Sequence, residues 1–239
     1  MYRALLLLYI REVFIIYGNM NTYKFSLMKK APLIIFDGLD GSGKSTQVAL
    51  LKERVNKKHK VLFTREPGGS PLSERIRDIF STPEGARASA QTQFLLMSAS
   101  RSNLIEEVIV PNIKEGTPVI SERGDSSTFA YQIYTNERFD LEGLFLEIRD
   151  ILFGEFKPTH YFIFDVSAVE AKRRVNTDTK RTRSIFDMDP IDSYERARDG
   201  FRTFAGKFPE EVTLVDGDRD PKIIHEEVYA HIKKLCGWE

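Results

Sequence analysis

The sequence predicts a three-layer α/β fold in which helices cover both faces of a mostly parallel five-stranded sheet, and three observations carry that expectation. Apolar runs of strand length alternate along the chain with stretches whose apolar residues recur at helical spacing, the pattern of βαβ crossovers. The strand-like runs are apolar throughout rather than alternating, as strands buried on both faces are. The first of them, Leu33-Ile34-Ile35-Phe36-Asp37, runs directly into Gly38-Leu39-Asp40-Gly41-Ser42-Gly43-Lys44-Ser45-Thr46, a complete G-x-x-x-x-G-K-[ST] loop. A helical pattern through Val48, Leu50, Leu51 and Val55 follows at once.

Lys60-Val61-Leu62-Phe63-Thr64 reads as a second strand, and Arg65-Glu66-Pro67-Gly68-Gly69-Ser70-Pro71 must be a loop, because paired Pro and Gly break both regular patterns. A helix over 72–80 places Leu72, Ile76 and Ile79 on one side. A long amphipathic helix is expected over 91–115, with Phe94, Leu95, Met97, Leu104, Ile105, Val108 and Ile109 on its apolar side and Gly116 and Pro118 ending it. Pro118-Val119-Ile120-Ser121 enters the third strand, 161–166 the fourth and 212–215 the fifth, with helices over 139–153, 168–175, 192–208 and 222–235. No internal repeat or long linker interrupts the pattern, so one domain is drawn over 31–239, with 1–30 as an extension.

A chain of 239 residues, 41% of them hydrophobic, is long enough to bury a substantial core. Lys plus Arg and Asp plus Glu both number 35, so no global field draws the chain to nucleic acid or anionic membrane, and the partners implied are small anions. The single cysteine, Cys236, rules out an internal disulfide framework and a cysteine-based metal cluster and fits a reducing compartment. In the extension, the apolar runs 4–10 and 13–17 are separated by Arg11-Glu12, and neither approaches the ~20 residues that span a bilayer. Arg3 and the leucines after it loosely fit an export signal, yet no small-x-small cleavage site follows. Met20 and Met28, both upstream of the first strand, offer the simpler reading of a non-native start, and an added amphipathic helix or organellar presequence stays open.

The Gly-rich loop has a stated chemistry. Glycines let backbone N–H groups turn inward and approach phosphate oxygens, and the helix N-terminus adds partial positive charge. Gly38, Leu39, Asp40, Gly41, Ser42, Gly43, Lys44, Ser45 and Thr46 are therefore expected to bind a nucleoside triphosphate, with Lys44 reaching its β- and γ-phosphates and the Ser45 hydroxyl on Mg²⁺.

Further features fall where an open α/β sheet places ligands, at the carboxyl ends of strands or on the helix lining the cleft. The loop 38–46, Thr64-Arg65-Glu66-Pro67-Gly68-Gly69, Leu95-Leu96-Met97-Ser98-Ala99-Ser100-Arg101, and Ser121-Glu122-Arg123 followed by Ser127-Thr128-Phe129-Ala130-Tyr131-Gln132 resemble thymidylate kinase in content, order and spacing. The resemblance covers about residues 31–235 and implies a P-loop nucleoside monophosphate kinase fold that transfers the γ-phosphoryl group of ATP to dTMP with Mg²⁺. It also implies a cytoplasmic homodimer formed through helices, with the 91–115 segment contributing, and no nucleic-acid or membrane partner.

By the same resemblance Asp40 lies near the sugar 3′-hydroxyl and phosphate, Arg65 near the acceptor phosphate with Pro67 in the same loop, and Arg101 against the thymine ring beside Ser127, Thr128 and Gln132. Tyr131 packs on the sugar, and Glu122 joins Ser45 on the metal or its waters. Arg123 bridges the acceptor and donor phosphates, a role that suits a planar guanidinium fork better than an ammonium. The acceptor is a phosphate oxygen already ionised near neutral pH, so catalysis rests on aligning two polyanions and cancelling their charge rather than on a strong base.

The densest cationic segment runs from Arg173-Arg174 to Lys180-Arg181-Thr182-Arg183, whereas loop positions Leu39, Asp40, Gly41 and Ser42 supply no cation. The resemblance therefore points to the type with a lid, here at about 176–190, in which Arg181 or Arg183 closes over the ATP phosphates and Arg173 or Arg174 supports it. Three positions depart from the family pattern. Glu122 stands where Asp is usual, Gly124 stands where an aromatic or His commonly follows, which is expected to loosen the turn presenting Arg123, and Met97 stands where many relatives stack a Phe on the base. The competing readings are a P-loop kinase for another acceptor and a nucleotide-dependent switch or non-catalytic module. Against a GTP switch, the chain has no N-K-x-D run, and against a degenerate module, Lys44 and Arg123 are both intact.

Overall fold

The computed structural model describes residues 30–55, 59–179 and 184–239. Its strands are β1 (Leu33–Gly38), β2 (Leu62–Arg65), β3 (Val119–Glu122), β4 (His160–Asp165) and β5 (Val212–Asp216). All neighbours pair in parallel, in the order β2-β3-β1-β4-β5. β1 is central and buried at every position, which explains its unbroken apolar run. Its register sets Leu33 opposite Val119 on one side and Ile34 opposite His160 on the other. Because the chain passes from β1 out to β2 and back to β3, the carboxyl edge of this half of the sheet collects the loops after all three strands.

Side-chain alternation divides the core into two layers. Leu33 and Ile35 pack with Phe94, Leu104, Phe129, Phe145, Tyr161 and Phe204 on one face. Ile34 and Phe36 pack with Val48, Leu51, Phe162, Phe164, Ile224 and Val228 on the other. The second face is covered by α1 (Lys44–Val55) and by the last helix, Pro221–Cys236.

After α2 (Pro71–Phe80) and α3 (Pro83–Ala86), the first face receives α4 (Ala90–Leu104), a π turn over Ile105–Ile109 and α5 (Val110–Lys114). The single helix expected over 91–115 is therefore interrupted, and Pro111 accounts for it. A proline lacks the N–H for the bond to the residue four back, and its ring strikes that carbonyl, so the wider turn absorbs it. A second π turn, Phe129–Thr135, follows α6 (Asp125–Thr128) and packs on α9 (Ile191–Lys207), whose Gly200 is needed for the close approach. A Cβ at Gly200 would stand 2.7 Å from Ala130 Cα. The helix expected over 139–153 is a 3₁₀ turn, Phe139–Leu141, leading into α7 (Glu142–Phe153), and α8 (Ala168–Thr177) follows β4. The last helix, α10 (Pro221–Cys236), is capped by Asp220 Oδ1 accepting from the Lys222 amide at 2.8 Å and ends at left-handed Gly237. No helix among the described residues is long and apolar enough to cross a membrane.

Beneath the first face lies a buried polar cluster that ties α6, α7 and β4 together. Arg149 and Asp125 are 5% and 1% exposed. Arg149 Nε donates to Asp125 Oδ2 at 2.8 Å, Tyr161 Oη donates to Asp125 Oδ1 at 2.7 Å, and Arg149 Nη2 reaches Glu211 Oε2 at 2.9 Å. Removing one member of such a pair strands the other charge without solvent. Arg149→Met is therefore expected to lower unfolding free energy by about 3–5 kcal/mol, read from urea denaturation.

Candidate active site

The site grows from the last two residues of β1. The Asp37 carboxylate is fully buried, accepting from the Gly38 amide at 2.9 Å, the Gly124 amide at 3.2 Å, Ser126 Oγ at 2.6 Å and Ser127 Oγ at 2.7 Å. It thus fastens the start of the phosphate loop to the turn after β3. Gly38 then takes a φ of 137°, and a Cβ there would stand 2.5 Å from the Phe164 carbonyl, so only glycine fits where the loop leaves the sheet.

Within the loop Lys44 is buried, its Nζ donating to Leu39 O at 3.0 Å and Asp40 Oδ1 at 3.3 Å. Burial, and then Arg123, pull the Lys44 ammonium below its ordinary value, while Asp40, Glu122 and Asp37 oppose that shift. Ser45 Oγ, at the first turn of α1, donates to Glu122 Oε1 at 2.5 Å, so the end of β3 meets the start of α1.

Arg123 follows directly, with a left-handed φ of 71° that costs a non-glycine residue about 1–3 kcal/mol. Two bonds hold that backbone: its amide donates to Phe36 O and its carbonyl accepts from Ser121 Oγ, each at 2.8 Å. The guanidinium donates through Nη2 to Asp40 Oδ1 at 2.5 Å and through Nη1 to Ser127 Oγ at 2.9 Å, with the Tyr131 ring 5.4 Å away. Burial disfavours its charge, but Asp40, Tyr131 and Asp37 outweigh burial and hold the Arg123 pKa above normal. A single oxygen, Asp40 Oδ1, therefore lies between Lys44 and Arg123. Gly124 does not loosen this turn, contrary to the expectation from sequence. A Cβ there would stand 2.9 Å from Ile35 Cγ2, and the Gly124 amide is held by Asp37.

Two cavities flank the loop. One of about 430 Å³ is lined by Asp40, Pro67, Met97, Arg101, Arg123, Ser127, Thr128, Tyr131 and Gln132, the residues expected around the acceptor. Tyr131 also packs edge-on against Phe201 at 5.8 Å, so it is at once a core and a cavity residue. The other, of about 570 Å³, is lined by Gly41, Ser42, Gly43, Lys44, Ser45 and Thr46 and closed by Arg174 and the β5–α10 loop from Gly217 to Pro221. Gly38 and Leu39, expected among the triphosphate contacts, line neither cavity. Gly38 abuts Phe164 and the Leu39 side chain is in the core.

Arg65 is a further correction: it is half-exposed, outside the cavity lining, and Glu74 takes its guanidinium through both carboxylate oxygens at 2.9 and 3.0 Å. Arg77 lines the cavity instead, its Nη1 donating to Pro67 O at 2.9 Å. Of the basic segment, Arg173 is held by Glu170, and Arg174 by Glu170, Gly217 O and Asp218. Arg181 and Arg183 lie outside the described residues. The described end of the expected lid is a 3₁₀ turn, Ile185–Met188, whose Phe186 stacks on Phe80 at 5.0 Å and lines the acceptor-side cavity.

Sequence reasoning passed over Asp37, Glu66, Arg77 and the β5–α10 loop. Glu66 is buried in an ion pair with Arg101, Oε2 to Nε at 2.7 Å, and Arg101 Nη2 donates to Thr128 Oγ1 at 3.0 Å. Burial pushes the Glu66 carboxyl up to about 7 despite the neighbouring Arg101.

A parallel sheet with a phosphate loop after its central strand, a buried lysine in one cavity and an arginine in the other defines the class of P-loop phosphotransferases. Comparison with known proteins makes the class specific. The family model described as thymidylate kinase matches residues 36–228. Thymidylate kinase of Chlorobaculum tepidum is 33% identical over 219 residues, covering 85% of this chain and 98% of that protein. The Kosmotoga olearia thymidylate kinase is also 33% identical, over 84% of this chain and 97% of its own length. A crystal structure of thymidylate kinase from Ehrlichia chaffeensis superposes with a TM-score of 0.68 at 28% identity, covering 85% of this chain and 99% of that one. The chain belongs to the thymidylate kinase family.

Asp37→Asn keeps the shape of the joint but replaces one acceptor oxygen with a donor facing other donors. It is expected to lower stability by about 2–4 kcal/mol in chemical denaturation, the loss of one or two charged hydrogen bonds plus an unsatisfied donor.

Proposed function

We infer that this chain transfers the γ-phosphoryl group of ATP to dTMP, giving ADP and dTDP. The observation that carries the reading is the Asp40 oxygen shared by Lys44 and Arg123, which sets one cation against each of the two cavities. In this reading ATP lies along the loop residues 41–46, its phosphates under Lys44 and its base towards Arg174 and the β5–α10 loop. The acceptor lies between Arg123 and Arg101. An acceptor phosphate oxygen forms the new bond to the γ-phosphorus as the bond from that phosphorus to the β–γ bridging oxygen breaks, and the bridging oxygen leaves on ADP. The acceptor oxygen enters ionised, so no proton need be removed from it. Arg123 exchanges its Asp40 contact for phosphate oxygens, and its planar fork spans both groups as charge redistributes.

Ser45 and Glu122 offer adjacent oxygen donors of the kind a hard cation takes, so they are the residues that would hold Mg²⁺ with ATP. The ion supplies neutralisation of phosphate charge. The longer Glu122 side chain reaches Ser45, which supports its serving where Asp is usual. The same reading assigns lid closure to Arg181 and Arg183, takes 31–239 as the catalytic unit, and places the enzyme in the cytoplasm, where its product feeds dTTP synthesis. Exposed Leu72 and Ile79 of α2 and Leu95 of α4 support a homodimer packed through these helices.

The deciding assay couples ADP release to dTMP, dUMP, dCMP, AMP and GMP in turn, with ATP and Mg²⁺. dTMP is expected to turn over fastest, and a preference for a purine acceptor would contradict the reading. Arg123→Ala is expected to lower kcat ~10²–10³-fold with little change in the KM for ATP, because its contact strengthens in the transition state. An unchanged kcat would remove Arg123 from the mechanism.

A further inference from the structure

We propose that Glu66 is the positioning residue of the acceptor pocket: its buried carboxylate sets the orientation of the Arg101 guanidinium toward the nucleobase, so acceptor affinity depends on a side chain that acts through Arg101. The proposal rests on the functional reading above for the identity of that acceptor.

Four observations support it. Glu66 and Arg101 are 5% and 4% exposed, yet both belong to the wall of the 430 Å³ cavity, so the pair is a wall of the site rather than a strut elsewhere in the core. The guanidinium is held from two sides, by the ion pair of Nε with Glu66 at 2.7 Å and by Nη2 donating to Thr128, which leaves further N–H donors for a ligand carbonyl. The adjacent Ser127 holds Arg123, so α6 fixes the guanidinium at each end of the acceptor through consecutive residues. Finally, Glu66 Oε1 is buried with no hydrogen-bond partner. A carboxylate kept only for stability would not be left half satisfied, since that costs more than an apolar pair of similar volume.

The charged groups facing Glu66 are Arg101 from α4, Asp125 from α6 and Asp37 from β1, and burial with the two aspartates opposes its ionisation.

The test is a double-mutant cycle of Glu66→Gln and Arg101→Gln, with steady-state kinetics for both substrates. Glu66→Gln is expected to raise the KM for dTMP about tenfold while kcat changes less than about threefold and the KM for ATP stays put. The double variant should be no worse than the worse single one, because Glu66 acts only through Arg101. If Glu66→Gln fails to fold, Glu66→Asp, which keeps the charge but withdraws it by one methylene, should show the same acceptor-specific rise. An unchanged KM for dTMP, multiplicative single effects, or both KM values and kcat moving together would overturn the proposal. A wild-type enzyme inactive on dTMP would instead sink the functional reading, and the same cycle on the acceptor it prefers would still decide Glu66.

Discussion

The buried Asp37 carboxylate is the joint on which the site depends. It sits at the end of the central strand, where no water can satisfy it, and its bonds go to two different loops: Gly38 of the phosphate loop, and Gly124, Ser126 and Ser127 beyond β3. Charge-assisted hydrogen bonds of this kind are individually worth about 1.5–3 kcal/mol, and together they make the two loops one rigid body. The strained backbone of Arg123 is affordable only inside that body. Its guanidinium can then stand within reach of both Asp40 and Ser127 without a search through side-chain conformations.

Charge inside the cleft is balanced locally rather than over the whole chain. Lys44 and Arg123 share Asp40 and Arg101 has Glu66, and outside the cleft Arg65 has Glu74 and Arg149 has Asp125. A neutral chain therefore presents buried Lys44 to one cavity and partly buried Arg123 to the other, which is the requirement for joining two polyanions. The pairing also orients donors before a ligand arrives, so less ordering is left to be done upon binding.

Much of this was legible in the residues. The phosphate loop and the five strands were visible because each is a local pattern, a fixed spacing or a continuous apolar run. The two π turns were not, since Ile105–Ile109 depends on a proline inside a strong helical pattern and Phe129–Thr135 on packing against α9. The strand order was equally invisible, because crossovers of similar length reach either side of β1. For the site, resemblance brought most acceptor-side residues to one cavity but misplaced Arg65, whose partner Glu74 lies nine residues on. Glu66 and Asp37 were missed for a related reason: a lone carboxylate in a loop or at a strand end carries no signal until its distant partners, Arg101 and Ser126, are in place.

The central claim is that Asp37 makes the two loops a single unit, and native-state hydrogen exchange at the Gly38 and Gly124 amides tests it most directly. Both donate to Asp37, so they should open together, with one free energy close to that of global unfolding. Separate opening energies, or exchange of either amide by a local fluctuation far below the stability of the β1 amides, would contradict it.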